Sequence, residues 1–142
     1  MSHQQIIRRY YEELWNRWHL TLLDELIAEG IRFRGSLGVT VQDRAGFRQY
    51  LELVRAAFPD FHNTIDELLE VGDRVVARMT YRGTHRGELL GIPATGKTVT
   101  YSGIAIFRLA GGKITEGYVL GDALGVLQQL LGANFWRSGV PR

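Results

Sequence analysis

Cysteine is absent from the 142 residues, and so is any apolar run long enough to cross a membrane. Without cysteine the chain has no disulfide, no thiolate ligand for a metal and no thiol nucleophile. A spanning helix needs about 18 consecutive apolar residues, and the N-terminal Met-Ser-His-Gln-Gln carries no apolar signal core. We therefore expect a soluble, cytoplasmic protein without membrane contact.

Basic clusters and metal-binding patterns are equally scarce. The net charge is +2, because 17 Lys and Arg are set against 15 Asp and Glu spread along the chain. No basic block with interleaved aromatic residues occurs, so nucleic-acid binding is not expected. A metal site is not expected either, because no i, i+4 pair occurs among the four histidines, His3, His19, His62 and His85.

The amino-acid sequence of one segment matches the pattern of a phosphate-binding loop. Residues 91–98, Gly-Ile-Pro-Ala-Thr-Gly-Lys-Thr, fit G-x-x-x-x-G-K-[ST]. A phosphate loop also requires a helix after it, because the helix N-terminus and successive backbone N–H groups hold the phosphates. The following residues, 99–107, are mostly β-branched or aromatic, which predicts a strand. We therefore interpret residues 91–98 as a structural loop and expect no nucleotide.

The hydrophobic pattern places helices first and strands afterwards. The composition, with 45% hydrophobic and 23% charged residues, suits a single domain over residues 1–142. Apolar spacings of three and four predict helices at 4–18, at 21–28 with Gly30 after it, and from an Asp43 cap to Pro59. Strands are predicted at 31–34, 61–71, 74–84, 98–109 and 113–120, and a last helix at 123–131.

This order of elements predicts an α+β fold in which the aromatic first helix covers the concave face of a curved sheet.

Small side chains on the last two strands indicate where space is left between the sheet and the first helix. Gly103 and Ala105 share one face of a strand, and Gly117 and Val119 share one face of the next. Glycine in a strand marks close approach of a ligand or of other side chains. The pattern therefore predicts either a cavity or room for the tryptophans of the first helix.

Several short motifs, kept in order, carry a resemblance to a known family. They are Ala57-Phe58-Pro59-Asp60-Phe61, Gly72-Asp73, Gly83-Thr84-His85-Arg86-Gly87, Gly91-Ile92-Pro93, Gly111-Gly112-Lys113-Ile114, and Asp122 followed by Leu127-Gln128-Gln129-Leu130. In these motifs the chain resembles the SnoaL-like polyketide cyclases of the NTF2-like superfamily. The resemblance implies an NTF2-like or cystatin-like cone, in which a curved, mixed or antiparallel sheet wraps around a long N-terminal helix and leaves an apolar pocket.

The resemblance also implies a reaction class, that of an ester cyclase or a related isomerase or lyase. Such cyclases are similar to intramolecular aldolases: a base takes a proton from the carbon next to a carbonyl, and the enolate attacks a second carbonyl. The substrate would be an apolar or cyclic carbonyl compound, with no cofactor or metal. A carboxylate in an apolar cavity suits this task, since desolvation raises its pKa. The polar positions expected on the last two strands fall here on Gly103, Ala105 and Val119, which carry no proton.

Two other residues remain as catalytic candidates. Asp122 matches the family's Asp ahead of Gln-Gln-Leu-Gly, but it also precedes the helix 123–131, and we favour a capping role because a capped carboxylate has a lowered pKa. An imidazole such as that of His85 titrates near neutral pH and suits proton transfer. It suits equally well a hydrogen bond to the backbone of its own turn.

Ligand binding is predicted for residues on the inner faces of the elements. Trp15, Trp18, Tyr81 and Tyr101 would stack on a flat apolar ligand, with Gly103, Ala105 and Val119 giving it room; packing as plain core is the alternative.

Two further alternatives concern the whole protein. The loss of ionisable residues at the expected pocket positions fits a non-catalytic protein that binds an apolar ligand. A homodimer, common among the relatives implied by the resemblance, would use the outer sheet face, where Ile104 and Ile106 alternate with inward residues. The C-terminal tail, 133–142, with Phe135 and Trp136, would close the pocket or pack on a partner subunit.

Overall fold

Six strands form one curved, open sheet in the computed structural model, which describes residues 1–132. The helices are α1 (His3–Arg9), continued by a π-helix (Tyr10–Trp15), then α2 (Leu22–Leu26), α3 (Arg44–Ala57) and α4 (Ala123–Leu131). The strands are β1 (Ile27–Arg34), β2 (Thr40–Val41), β3 (His62–Val71), β4 (Arg74–Thr84), β5 (Thr98–Ala110) and β6 (Lys113–Gly121).

The sheet is mixed, in the order β2-β1-β6-β5-β4-β3. The pairs from β6 through β3 are antiparallel, whereas β1 pairs with β6 in parallel. Tight turns explain the antiparallel part: Gly111 and Gly112 both have positive φ, 59° and 77°, which favours glycine and matches the twist of the flanking strands. The architecture confirms the predicted α+β cone.

The first helix and its π-helical continuation provide the aromatic filling of the cone. Tyr10, Tyr11, Leu14 and Trp15 are all buried. Tyr10 meets Phe107 of β5 edge to face, with ring centroids 5.3 Å apart. Burying one such side chain contributes about 1.5–3 kcal/mol. The helix is therefore held on the concave face by packing rather than by its own helical propensity.

The first helix ends earlier than the sequence predicts. Regular hydrogen bonding stops at Trp15 rather than at Trp18, whose φ of 59° lies outside the helical region. Trp18 instead packs under the guanidinium of Arg55, whose carbon lies 4.3 Å from the ring centroid. The prediction was wrong because the apolar spacing continues past the point where the chain turns away.

The second helix is also shorter than predicted, and Gly30 does not end it. The structure has Leu22–Leu26 as helix, Thr21 makes no side-chain cap, and Ile27 already begins β1. Ile27 lies opposite Ile114 in the parallel ladder with β6, and Gly30 lies inside the strand. Pairing with β6 satisfies backbone groups at both ends of β1, and Ile27, Ile31 and Phe33 are buried, which overrides the local preference for helix.

Apart from β2, which the sequence did not predict, the remaining elements agree closely with the sequence pattern. Asp43 caps α3, because its Oδ1 accepts a hydrogen bond of 2.6 Å from the N–H of Gly46. Strands β3 to β6 begin and end within a residue or so of the predicted bounds. After Lys97 the chain enters β5 and not a helix, so the geometry of a phosphate loop is not formed. The predicted tail, 133–142, lies outside the described residues.

The small residues of the last strands make room for aromatic rings, although not for the predicted tryptophans. A Cβ on Gly103 would lie 2.6 Å from a ring carbon of Tyr81, and one on Gly117 would lie 2.6 Å from a ring carbon of Phe33. These distances are shorter than any van der Waals contact. Tyr81 and Phe33 therefore occupy the space that the sequence pattern left open.

We predict that Gly103→Ala destabilises the fold by about 1–3 kcal/mol, because the added methyl group overpacks the Tyr81 ring. Gly30→Ala is the matched control, since a Cβ there meets nothing within 4 Å. Urea denaturation of the two variants measures the difference. Equal midpoints for the two variants would contradict the packing described here.

Candidate functional site

A cavity of about 440 Å³ opens between α3, the β1–β2 loop and the loop that joins β4 to β5. We refer to it as the outer cavity. Its volume lies in the range of small-molecule sites. It is lined by Ser36, Leu37, Val39, Tyr50, Leu53, Val54, Ala56, Ala57, Phe58, Phe61, Glu88, Leu89, Leu90 and Tyr101. The lining is mostly apolar, and its polar side chains are Ser36, Tyr50, Tyr101 and Glu88.

Three hydroxyl groups lie together on one wall of the outer cavity. The Oγ of Ser36 and the Oη of Tyr101 form a hydrogen bond of 2.8 Å. Tyr50 is the third member, and its Oη lies against Gly35, where a Cβ would come within 2.1 Å of it. All three side chains are buried. This hydroxyl cluster (Ser36, Tyr50 and Tyr101) presents neutral hydrogen-bond donors to an otherwise apolar space.

Burial keeps the phenols of the cluster protonated. It raises the pKa of Tyr50 to about 12, against the opposing effect of the nearby Ser36 and of the charge of Arg34. Burial likewise raises the pKa of Tyr101 well above its ordinary value, against the hydrogen bond with Ser36. At neutral pH both groups can therefore donate a hydrogen bond to a ligand oxygen but cannot act as bases.

Glu88 is the carboxylate on the rim of the outer cavity, on the β4–β5 loop with Leu89 and Leu90. It is the one ionisable carboxylate among the described lining residues, and it is exposed. Leu90 has a φ of 51°, an uncommon conformation for a non-glycine residue. The loop closes on itself here, since Leu89 and Ile92 exchange two backbone hydrogen bonds of 3.0 and 2.8 Å.

His85 anchors this loop and does not line the outer cavity. Its side chain is fully buried, its backbone N–H donates to the carbonyl of Lys97 at 2.8 Å, and its Nδ1 accepts from the N–H of Thr95 at 3.2 Å. Because Nδ1 accepts this hydrogen bond, Nε2 is the ring nitrogen left to carry a proton, and it has no hydrogen-bond partner among the described residues. The ring packs beside Phe58, with centroids 5.9 Å apart. The structure thus favours the hydrogen-bonding role over proton transfer.

Asp122 also lies away from the outer cavity. It is exposed, and its Oδ1 accepts a hydrogen bond of 2.9 Å from the N–H of Gly125 at the start of α4. This geometry is that of a helix N-cap. The predicted catalytic role for Asp122 thus has no geometric support, and the capping alternative describes its contacts.

A second, much smaller space lies between the first helix and the sheet. This inner compartment has a volume of about 20 Å³ and is lined by Tyr10, Tyr11, Trp15, Phe33, Ser36, Tyr50, Phe61, Asn63, Tyr81 and Val119. Ser36, Tyr50 and Phe61 line the outer cavity as well, so they form the wall between the two spaces.

The predicted ligand-binding residues are therefore divided between different places. Tyr101 lines the outer cavity, whereas Trp15, Tyr81 and Val119 line the inner compartment. The remaining three line neither space: Trp18, Gly103 and Ala105.

Sequence reasoning missed Ser36, Tyr50 and Glu88. Tyr50 belongs to the buried apolar face of α3, and its hydroxyl is the signal that one end of that face is polar. Ser36 follows β1, whose true extent the sequence did not show. Glu88 stands in a loop, and its position on the rim depends on how the loop is anchored at His85.

The described residues contain no membrane-length or metal-binding feature. No helix within residues 1–132 is long and apolar enough to cross a membrane. In the same part of the chain, no three His, Asp or Glu side chains are grouped so as to hold a metal ion.

Comparison with known proteins gives a consistent result. The family model described as SnoaL-like polyketide cyclase matches residues 5–130. The chain is similar in structure to IdmH, a presumed polyketide cyclase from Streptomyces antibioticus, with 30% identity, a TM-score of 0.77, and coverage of 89% of this chain and 96% of that one. No match was found among functionally curated proteins.

Two further solved structures show the same likeness. A presumed polyketide cyclase from Acidithiobacillus ferrooxidans is 30% identical, with a TM-score of 0.75 and coverage of 92% of this chain and 97% of that one. TsrD from Streptomyces laurentii is 27% identical, with a TM-score of 0.81 and coverage of 93% and 98%. In each case the likeness extends over nearly the whole of both chains.

We predict that Tyr50 stabilises the fold in a pH-dependent way. Its pKa is raised to about 12 in the folded protein, against about 10 in an unfolded chain. The stabilisation is therefore complete below about pH 10 and is lost as the pH rises toward 12. Unfolding midpoints measured across this range should fall more steeply for the wild type than for Tyr50→Phe. Parallel pH profiles would show that Tyr50 is not buried as described.

Proposed function

This chain belongs to the SnoaL-like polyketide cyclase family, and from that membership we propose that it catalyses acid/base chemistry on an apolar carbonyl compound held in the outer cavity. The observation that supports the proposal is the pairing of a neutral hydroxyl cluster with an apolar space and a single rim carboxylate. Cyclisation, isomerisation and elimination can all begin with the proton transfer that such a site allows.

The hydroxyl cluster would stabilise the charge that develops on the substrate oxygen. When a proton leaves the carbon next to a carbonyl, negative charge moves onto the carbonyl oxygen. Neutral O–H donors that are already positioned in an apolar site stabilise such an oxyanion strongly, because they need little reorganisation. Tyr101 and Tyr50 suit this role, since their raised pKa values keep them protonated.

Glu88 would be the group that takes the proton. The C–H bond next to the carbonyl breaks, its proton passes to the carboxylate of Glu88, and its electron pair forms the enolate. In a cyclisation the enolate carbon then bonds to a second carbonyl carbon, and the new alkoxide recovers the proton from Glu88. The cavity walls from Phe58 and Phe61 would hold a flat substrate by stacking.

The test uses deuterium exchange into α-tetralone, a flat apolar ketone with an exchangeable C–H next to its carbonyl. The wild-type chain is expected to accelerate exchange, and Glu88→Gln is expected to lower the acceleration by about 100-fold or more with binding retained. Tyr101→Phe should also lower it, because an oxyanion donor is lost. The control is Glu29→Gln, an exposed glutamate of β1 that does not line the outer cavity.

A different outcome would favour a non-catalytic ligand-binding protein. That second function is supported by the exposure of Glu88, since water competes with a substrate C–H for a solvated carboxylate. If the wild-type chain binds α-tetralone but does not accelerate exchange, or if Glu88→Gln exchanges as fast as wild type, the catalytic proposal is wrong and binding alone remains.

We also propose that the protein forms a homodimer through the outer face of its sheet. Ile104 lies opposite Leu120, and Ile106 lies opposite Tyr118, on neighbouring strands β5 and β6. All four are exposed. Adjacent exposed apolar side chains of this kind commonly mark an interface, and a two-fold axis would let the patch pack on its own copy.

Light scattering at micromolar concentration tests the dimer. We expect a dimer for the wild-type chain and a monomer for Leu120→Lys, because a lysine would bury charge at the interface. Leu53→Lys is the matched control, since Leu53 is exposed to 59% and Leu120 to 58%, but Leu53 lies on α3. A wild-type monomer, or equal effects of the two variants, would contradict the proposal.

A further inference from the structure

The inner compartment contains two polar atoms that lack partners. Both Nε1 of Trp15 and Oη of Tyr81 are buried, and neither forms a hydrogen bond with any residue in the described part of the chain. Their side chains are 6% and 3% exposed. Burial raises the pKa of Tyr81. A tyrosine hydroxyl lies near each of the two groups, Tyr11 near Tyr81 and Tyr10 near Trp15, but neither pair meets the geometry of a hydrogen bond. Buried polar groups without partners are rare in folded proteins.

An oxygen atom has the right hydrogen-bonding chemistry for both groups. The indole N–H of Trp15 can only donate, whereas the hydroxyl of Tyr81 can donate or accept. An oxygen that accepts from Trp15 can also accept from Tyr81 or donate to it. Both side chains line the same inner compartment, which makes it the place to look for a shared partner.

The size and charge of the compartment restrict what it can hold. A volume of about 20 Å³ just exceeds the roughly 10–15 Å³ that one water molecule requires. None of its lining residues is Lys, Arg, His, Asp or Glu, so it offers no countercharge to an ion. The occupant is therefore small and neutral.

The π-helix gives independent support for a functional role of the inner compartment. The compartment takes Tyr10, Tyr11 and Trp15 from the π-helix Tyr10–Trp15. A π-helix is rare and occurs mostly at functional sites, because it costs stability compared with an α-helix. Here it aims the indole of Trp15 at the space that Tyr81 borders.

We propose that the inner compartment is a binding site for one neutral oxygen atom, supplied by a water molecule that bridges Trp15 and Tyr81. The site does not depend on the catalytic proposal. The water ties the first helix to β4, and it lies directly behind the wall of Ser36, Tyr50 and Phe61. Phe61 covers it from one side, stacked on Tyr81 with centroids 6.0 Å apart and planes at 12°.

A crystal structure of the full chain that resolves ordered water tests the site directly. We expect one isolated density peak within about 3.2 Å of both Nε1 of Trp15 and Oη of Tyr81. An empty compartment would overturn the proposal, and so would a Tyr81 hydroxyl bonded to a protein group.

Denaturation of Tyr81→Phe gives a second and independent test. If the hydroxyl is bound to water, its removal should lower the folding equilibrium constant by about five-fold. Removal of a hydroxyl from a dry space should instead raise the constant or leave it unchanged, and that result would overturn the proposal. Tyr118→Phe is the matched control, because the Tyr118 side chain is 53% exposed, and it should stay within about two-fold of wild type.

Discussion

Aromatic rings fill the concave face of the sheet, and the rest of the structure depends on that packing. Tyr10 contacts Tyr11, Phe47 and Phe107, while Trp15 contacts Tyr50 and Phe61. These rings join the first helix, α3 and the sheet through edge-to-face and tilted contacts, which aromatic side chains prefer. Because interiors pack to nearly crystalline density, little space remains between helix and sheet. The two elements are therefore held in one arrangement.

That filling determines where a ligand can bind. The deep part of the cone retains only the inner compartment, whereas the outer cavity at its mouth is large enough for a small molecule. The wall between them includes Ser36 and Tyr50, so two of the three cluster hydroxyls belong to both the packed interior and the ligand space. Desolvation by the interior keeps the phenols neutral, and the outer cavity on the other side would let a ligand oxygen reach them. The same aromatic layer thus fills the interior of the cone and keeps the phenols of the hydroxyl cluster protonated.

The sequence predicted the parts of this arrangement that local patterns control. Glycine turns and alternating residues gave β3 to β6, and Asp43 marked the start of α3. Parallel pairing between β1 and β6 joins residues far apart in the chain and leaves no local signal, so the extent of β1 was missed. The candidate site was mostly missed for the same reason. Glu88 and Ser36 stand in loops that only the folded chain brings to one cavity, and Asp122 and His85 carried suitable chemistry at positions that their hydrogen bonds assign to structure.

We propose that the outer cavity, and not the interior of the cone or the outer sheet face, receives the ligand. The most direct measurement is a two-dimensional ¹H–¹⁵N NMR titration of the full chain with a flat polycyclic ketone such as anthraquinone-2-carboxamide. Shifts are expected to concentrate at the backbone amides of Ser36, Tyr50 and the rim residues Glu88 to Leu90. Shifts concentrated instead at Ile104, Ile106 and Leu120, with the cavity residues unmoved, would contradict it.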